Sequence, residues 1–289
     1  MMKKKPMLAY PVSNKPIDYS NKVSIQPKLD GVRCLIQREP IIVDGNKYDI
    51  IAAYSRTGKE WLNIDHILKE LESFFDEHPN IILDGELYNH DLRDNFEKII
   101  SLVRKTKPTD QDRLDARELT QFHCYDIIDE TLTFEERNYF IIKQVPTSYC
   151  VKHLKTQAIA TESLAKVIHQ QNLDNGYEGS IVRTNDTYQC KRSHNLRKFK
   201  DFSDAEATIV GYETGKGKRT GTLGKFVMQD DDGNEFGCPP GKGYNYKMME
   251  DMLNNIHDYI GERATFTYFE RTKAGSYRHP LFKGLRNYE

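Results

Sequence analysis

The sequence predicts an α+β protein in two parts, with antiparallel strands and flanking helices over residues 1–202 and a small β-barrel over residues 203–289. Three observations predict it. Short β-rich runs meet at Asp-Gly and Asn-containing turns throughout the first part. A few stretches with apolar residues at three-and-four spacing interrupt them. After Phe202 the runs shorten, Gly-rich turns multiply, and one helix pattern remains.

The elements follow in chain order. VSIQPKLDGVRCLIQ reads as two strands meeting at Asp30-Gly31, and the next stretch turns at Asp44-Gly45-Asn46 between apolar flanks suited to a hairpin. Ile64, Ile67, Leu68, Leu71, Phe74 and Phe75 mark one buried face of a helix over residues 65–77, with Asn63 or Asp65 as cap. NIILDGELY is a buried strand, DNFEKIISLVRK a helix, FHCYDII a strand and TFEERNYFIIKQV a helix. ATESLAKVIHQQNL is a fourth helix, ended at Asp174-Asn175-Gly176, and YEGSIVR and NLRKFKDF are two further strands. ATIVGYE, GTLGKFVMQ, NEFGCP and RATFTYFER are the short strands of the second part, interrupted by a helix over residues 246–256. About five strands with one helix fit a Greek-key barrel of the OB type. The boundary falls near residues 201–204.

Composition narrows the class. The chain has 289 residues, 38% hydrophobic and 29% charged, enough for two modest domains with real cores. Mean hydropathy is -0.71, and no apolar run approaches the roughly 20 residues that span a bilayer. No membrane association is expected. The basic N-terminus lacks the apolar core of a secretory signal, so a cytoplasmic location is expected, the host cytoplasm if the source is viral. Five scattered cysteines contain no CxxC pair, which supports neither a zinc ribbon nor a disulfide framework. Net charge is -1, yet residues 191–225 carry nine Lys/Arg against four acids. Alone, that stretch reads as a solvated surface; beside the motifs below it reads as a nucleic-acid footprint.

Lys28-Leu29-Asp30-Gly31-Val32-Arg33 places a lysine where two strands turn. A free lysine has a pKa near ~10.4 and is protonated at neutral pH. It becomes a nucleophile when burial, neighbouring cations or a metal favour the neutral amine. Further motifs follow in order: Ser55-Arg56-Thr57-Gly58, Asp84-Gly85-Glu86-Leu87, Phe122-His123-Cys124-Tyr125-Asp126, Glu178-Gly179-Ser180-Ile181-Val182-Arg183 and Lys198-Phe199-Lys200. In the last, strand alternation puts both cations on one face. Each is a common turn or strand fragment alone; the ordered set is specific.

That set resembles the covalent nucleotidyltransferase superfamily of ATP-dependent DNA ligases, RNA ligases and mRNA capping enzymes, over roughly residues 26–286. The later motifs, Gly215 to Phe226 and Gly-Ser-Tyr-Arg-His-Pro-Leu-Phe with Arg286, are similar to the small two-domain DNA ligases of phages and bacteria. The resemblance implies an adenylation domain followed by an OB domain that hinges near Asp201-Phe202-Ser203-Asp204. It implies ATP and magnesium, with manganese as a substitute, and nicked duplex DNA as substrate of a monomer. Lys28 would attack ATP and carry AMP, with Lys198 and Lys200 neutralising the α-phosphate. Arg33 and Glu86 would hold the ribose, Tyr125 would stack on adenine, and Gln26 would bond its exocyclic amine. Asp30, Glu86 and Glu178 would bind the metal. Arg278 and Arg286 would meet the pyrophosphate, and Arg56, Lys216, Lys218 and Arg219 the DNA. With 27 residues before Lys28, the large N-terminal DNA-binding domain of cellular replicative ligases is not expected. The flanks of the Glu-Gly motif and the terminal Arg-His-Pro favour a DNA ligase over an RNA ligase or capping enzyme. A silent OB-fold binder would not require Lys28, Glu86, Glu178 and the Lys198/Lys200 pair together.

Overall fold

Asp44 and Gly45 both adopt positive φ, 49° and 76°, the backbone of a two-residue hairpin turn whose twist suits paired strands. They close the longest hairpin of the first of two compact units, Met1–Lys200 and Asp201–Glu289. The computed structural model describes residues 4–93, 96–199, 203–241, 243–268, 270–271 and 276–286; for Phe96, Glu97, Glu270 and Arg278 it describes the backbone alone.

The first unit runs β1 (Leu8–Pro11), β2 (Val23–Lys28), β3 (Val32–Val43), β4 (Asn46–Tyr54), α1 (Asp65–Glu70), α2 (Glu72–Glu77), β5 (Ile82–Tyr88), α3 (Phe96–Val103), α4 (Asp110–Leu119), β6 (Gln121–Ile127), α5 (Phe134–Gln144), β7 (Val151–His153), β8 (Gln157–Ile159), α6 (Glu162–Asp174), β9 (Gly179–Thr184) and β10 (Arg192–Phe199). Two five-stranded sheets result, in the orders β1-β10-β9-β2-β8 and β4-β3-β5-β6-β7. The chain passes from one to the other at the turn between β2 and β3, which carries Asp30 and Gly31.

Two expectations shift here. The helix expected over residues 65–77 is two helices, because Leu71 N–H bonds to Leu68 O at 3.1 Å, a step of three residues that tightens one turn. Ile67, Leu71, Phe74 and Phe75 all stay buried across the break. Helix α4 escaped the periodicity because it offers few apolar residues; its signal is local, a capping box between Thr109 and Asp112. Helix α5 starts on a second box, Thr133 with Glu136.

An ionic seam ties the sheets together. The Asp126 carboxylate on β6, fully buried, accepts from Arg137 Nε of α5 at 2.7 Å and from Arg183 NH1 of β9 at 2.5 Å. Arg183 Nε continues to Gln26 Oε1 at 2.7 Å, and Gln26 Nε2 to Thr156 Oγ1 at 2.8 Å. Thr156 then bonds Asn138 Oδ1 at 3.1 Å. The circuit thus begins and ends on adjacent residues of α5.

The second unit runs β11 (Ser203–Thr214), β12 (Leu223–Gln229), β13 (Glu235–Cys238), α7 (Tyr246–Asn254), β14 (Arg263–Tyr268), β15 (Glu270–Arg271), β16 (Tyr277–Arg278) and β17 (Leu281–Leu285). Its main sheet has the order β13-β12-β11-β14-β17 around a core that includes Ile209, Phe226, Met228, Phe266 and Phe282. The expected barrel is partly open. The two edges of the ladder meet at Pro240 and Phe282, through Gly241 N–H to Phe282 O at 3.0 Å and Phe282 N–H to Pro239 O at 2.8 Å. Pro239 and Pro240 have no N–H to extend the pairing. Among the described residues no helix is long and apolar enough to cross a membrane.

Breaking the seam leaves two guanidiniums buried without their counter-ion. Asp126→Ala is expected to lower the free energy of unfolding by about 3–5 kcal/mol, read from urea denaturation followed by fluorescence of Trp61.

Candidate active site

Lys28 ends β2 opposite Gly179 of β9, while Gln26 lies opposite Ile181, which in turn lies opposite Lys198 of β10. Directly opposed residues share a sheet face, so Gln26, Lys28 and Lys198 line one face of the first sheet. Gly179 adds no side chain beside Lys28. Glu178, just before it, donates its N–H to Lys28 O at 3.2 Å, and its carboxylate is ion-paired with the Lys28 amine. Both side chains are largely buried, with 22% and 15% of their surface exposed.

The second sheet supplies the facing residues. A Cβ on Gly31 would lie 2.4 Å from Leu87 O and 2.7 Å from Glu86 Cγ, so glycine is what allows this turn to abut β5. Arg33 is opposite Glu86. Its guanidinium grips Asp84 with Nε to Oδ1 at 2.8 Å and NH2 to Oδ2 at 2.5 Å, and NH1 donates to Met7 O at 3.0 Å. Tyr188 donates to the same carboxylate at 2.7 Å and accepts from Met7 N–H at 2.7 Å. Burial opposes the charge on Arg33, but Asp84, Tyr125 and Tyr188 outweigh it and hold its pKa above the ordinary value.

Tyr125 occupies a β-bulge. The register passes from Asp84↔Asp126 to Gly85↔Cys124, leaving Tyr125 without a partner residue. A bulge sets two consecutive residues against one, so Tyr125 and Asp126 both find partners between the sheets. The Tyr125 hydroxyl donates to Glu86 Oε2 at 3.2 Å, and Arg33 and Arg183 each lie 5.5 Å from its ring centre. Burial pushes the Glu86 carboxyl up to about 7 against the opposing pull of Arg33, Lys28 and the Tyr125 hydrogen bond.

The structure therefore brings Lys28, Glu178, Lys198, Gln26, Arg33, Glu86 and Tyr125 into the region where the two sheets meet. It also gives several of the expected residues partners within the chain. The Gln26 carboxamide oxygen accepts from Arg183 Nε, and its nitrogen faces Thr156 and Tyr125 O. Asp30, Glu86 and Glu178 do not form a preformed metal cluster, since no three His, Cys, Asp or Glu side chains converge on one among the described residues. Arg286, in the second unit, is ion-paired with Glu206 at 3.0 Å. Arg219 folds back onto Leu223 O at 3.3 Å and Met249 Sδ at 3.1 Å, whereas Lys216 and Lys218 are exposed. Arg56 is half-buried in the turn closed by Ser55 N–H to Lys59 O at 2.7 Å. Lys200, Asp201, Phe202 and the Arg278 side chain lie outside the described residues.

Asp84, Asp126 and Arg183 stand inside the motifs with no sign there of their partners, and Arg137 and Tyr188 stand outside them. Arg137 and Tyr188 carry no local signal. Tyr188 meets Asp84 across 104 residues of chain.

Residues 6–200 match the family model described as ATP dependent DNA ligase domain, and residues 214–286 the one described as DNA ligase OB-like domain. The chain is 31% identical over 211 residues to a DNA ligase of African swine fever virus, covering 69% of this chain and 46% of that protein. It is 24% identical over 250 residues to the DNA ligase of Enterobacteria phage T4, covering 72% and 50%, so it spans about half the length of these relatives. Against a DNA ligase of Haemophilus influenzae it is 26% identical over 217 residues, covering 72% and 73%. A solved structure of a Lig E DNA ligase aligns with a TM-score of 0.56 at 22% identity over 99% of this chain and 100% of that one. The Chlorella virus DNA ligase-adenylate aligns at 0.50 and 23% over the whole of both chains. These two likenesses show the fold.

A carboxyl held above its ordinary 4.5 in the fold favours its protonated form, so its contribution is complete below pH 4.5 and is lost as pH rises through 7. Glu86→Gln, which cannot ionise, is expected to gain stability relative to the unaltered protein by up to about 3 kcal/mol between pH 5 and pH 8, measured by denaturant unfolding at both values.

Proposed function

As the chain belongs to the ATP-dependent DNA ligase family, we propose that it seals nicks in duplex DNA through an AMP-lysine intermediate on Lys28. One observation carries the reading: the Lys28 amine sits against Glu178, on the face that also bears Lys198 and close to Arg33, Glu86 and Tyr125.

The paired Lys28 is an ammonium whose lone pair is occupied by a proton, and in that state it does not attack phosphorus. ATP brings phosphates that compete for Lys28 and Lys198, and the cations around the α-phosphate make the neutral amine easier to form. The ammonium gives its proton to solvent, the freed Lys28 lone pair bonds to the α-phosphorus, the bond to the bridging oxygen breaks, and pyrophosphate leaves with that electron pair while the phosphoramide nitrogen sheds a second proton. Lys198, with Lys200 beyond it in the motif, offsets negative charge on the transferring group. Tyr125 supplies the ring for adenine, and Glu86 with Arg33 holds the ribose. Next, an oxygen of the 5′-phosphate at the nick attacks the same phosphorus and Lys28 recovers its amine. Finally the adjacent 3′-hydroxyl attacks the activated 5′-phosphate, AMP leaves, and the strand is continuous.

Magnesium fits this site through Glu178. The ion is satisfied by one or two carboxylates with waters and substrate phosphates, and the Glu178 carboxylate already stands against a cation, the Lys28 ammonium. Bound there, it would supply positive charge to the phosphates. Asp30 and Glu86 are second candidates for its outer partners. Lys216 and Lys218 are the DNA contacts we assign to the second unit, with Arg56 on the first directed to the nick's 5′-phosphate.

Incubation with radiolabelled ATP and magnesium, followed by denaturing electrophoresis, is expected to label the protein, and mass spectrometry to place AMP on the peptide containing Lys28. Lys28→Ala is expected to abolish the label. A sealed product from an RNA nick but not from the equivalent DNA nick would transfer the assignment to an RNA ligase. Lys216→Ala with Lys218→Ala is expected to weaken nick binding across all sequences and to flatten its dependence on log salt by roughly 2, about 0.9 per lost phosphate contact; titrations from low to moderate salt measure it.

A further inference from the structure

Helix α6 packs on the face of the first sheet opposite to Lys28. Its Ala165 and Ile168 meet Val23 and Ile25 of β2 and Val182 of β9 in an apolar cluster. One residue on, the chemistry changes. His169 and Asn172, 5% and 6% exposed, both reach the hydroxyl of Ser180, which is fully buried. Asn172 Nδ2 donates to Ser180 Oγ at 2.8 Å, and His169 Nδ1 lies 3.1 Å from it. The hydroxyl accepts from Asn172 and completes its bonding with the His169 ring nitrogen. The His169 ring also stacks on Phe199, with centroids 3.9 Å apart and planes at 11°.

Three strands converge on this point. Ser180 lies opposite Pro27 of β2 and opposite Phe199 of β10. Each of the three lies next to the site along the chain: Pro27 precedes Lys28, Ser180 follows Glu178-Gly179, and Phe199 follows Lys198. Apolar contacts tolerate small slips between strands. Directional bonds to a buried hydroxyl do not, because a slip leaves polar groups unsatisfied away from water.

We propose that His169 is a positioning residue for nucleotidyl transfer, which through Ser180 and Phe199 fixes the alignment of Lys28, Glu178 and Lys198. The inference rests on the ligase reading above. A misplacement far from the reacting atoms is costly to rate because transfer demands in-line geometry. Binding of ATP, spread over many contacts, is less affected.

The test is single-turnover formation of the AMP adduct against ATP concentration, with full-length His169→Phe, His169→Gln and Ser180→Ala proteins and their melting curves. His169→Phe keeps a ring for Phe199 and loses the bond to Ser180; His169→Gln keeps a polar group for Ser180. Folded His169→Phe and Ser180→Ala are expected to transfer AMP on the order of 10-fold more slowly at saturating ATP, with KM for ATP changed by less than about threefold. His169→Gln is expected to be faster than His169→Phe. Wild-type rates in both His169→Phe and Ser180→Ala, or losses that vanish on cooling in step with refolding, overturn the positioning role while leaving the ligase reading intact. An unlabelled wild type overturns both.

Discussion

A single carboxylate, Asp126, holds the first unit in the form its chemistry needs. It faces Arg137 from a helix and Arg183 from the opposite sheet, with no surface open to water. Charges so placed are stable only when fully paired and bonded, and here the pairing spreads through Gln26 and Thr156 back to α5. The seam orients more than it stabilises. It fixes how far apart the sheets stand, and so where Lys28 and Glu178 on one lie relative to Glu86 and Tyr125 on the other.

A second, parallel device uses Asp84, Arg33, Tyr188 and Met7. Here the chain before β1 enters the site's support through its backbone, both N–H and C=O of Met7 being taken. Under the proposed reaction the two devices divide the labour. The Asp84 group presents a guanidinium beside the Glu86 carboxyl, and the Asp126 group sets Arg183 over the Tyr125 ring and against Gln26. In that proposal the Lys28–Glu178 ion pair is the resting form of the lysine that would carry AMP.

Much of this was legible in the residues. The Asp44-Gly45 hairpin, the strand at Lys28, the helix before Gly176 and the ordered motifs are local signals, and local signals survive in a sequence. What escaped is either weakly apolar, like α4, or long-range. Nothing near Asp126 announces that its partners are Arg137 and Arg183, 11 and 57 residues away. Gln26 shows the limit well. The resemblance implies a role toward the base, and only the fold reveals that its oxygen accepts from Arg183. Arg286 pairs on its own unit with Glu206, a partner far along the chain that its motif does not announce.

The bulge at Tyr125 sets the phase of β6. Strand side chains alternate, so an aromatic and an acid in consecutive positions belong on opposite faces; the extra residue lets both look inward. A deletion of one residue there would restore strict alternation and send either the ring or the carboxylate to the far side of the sheet. The length of this short stretch is therefore as much a part of the site as its composition.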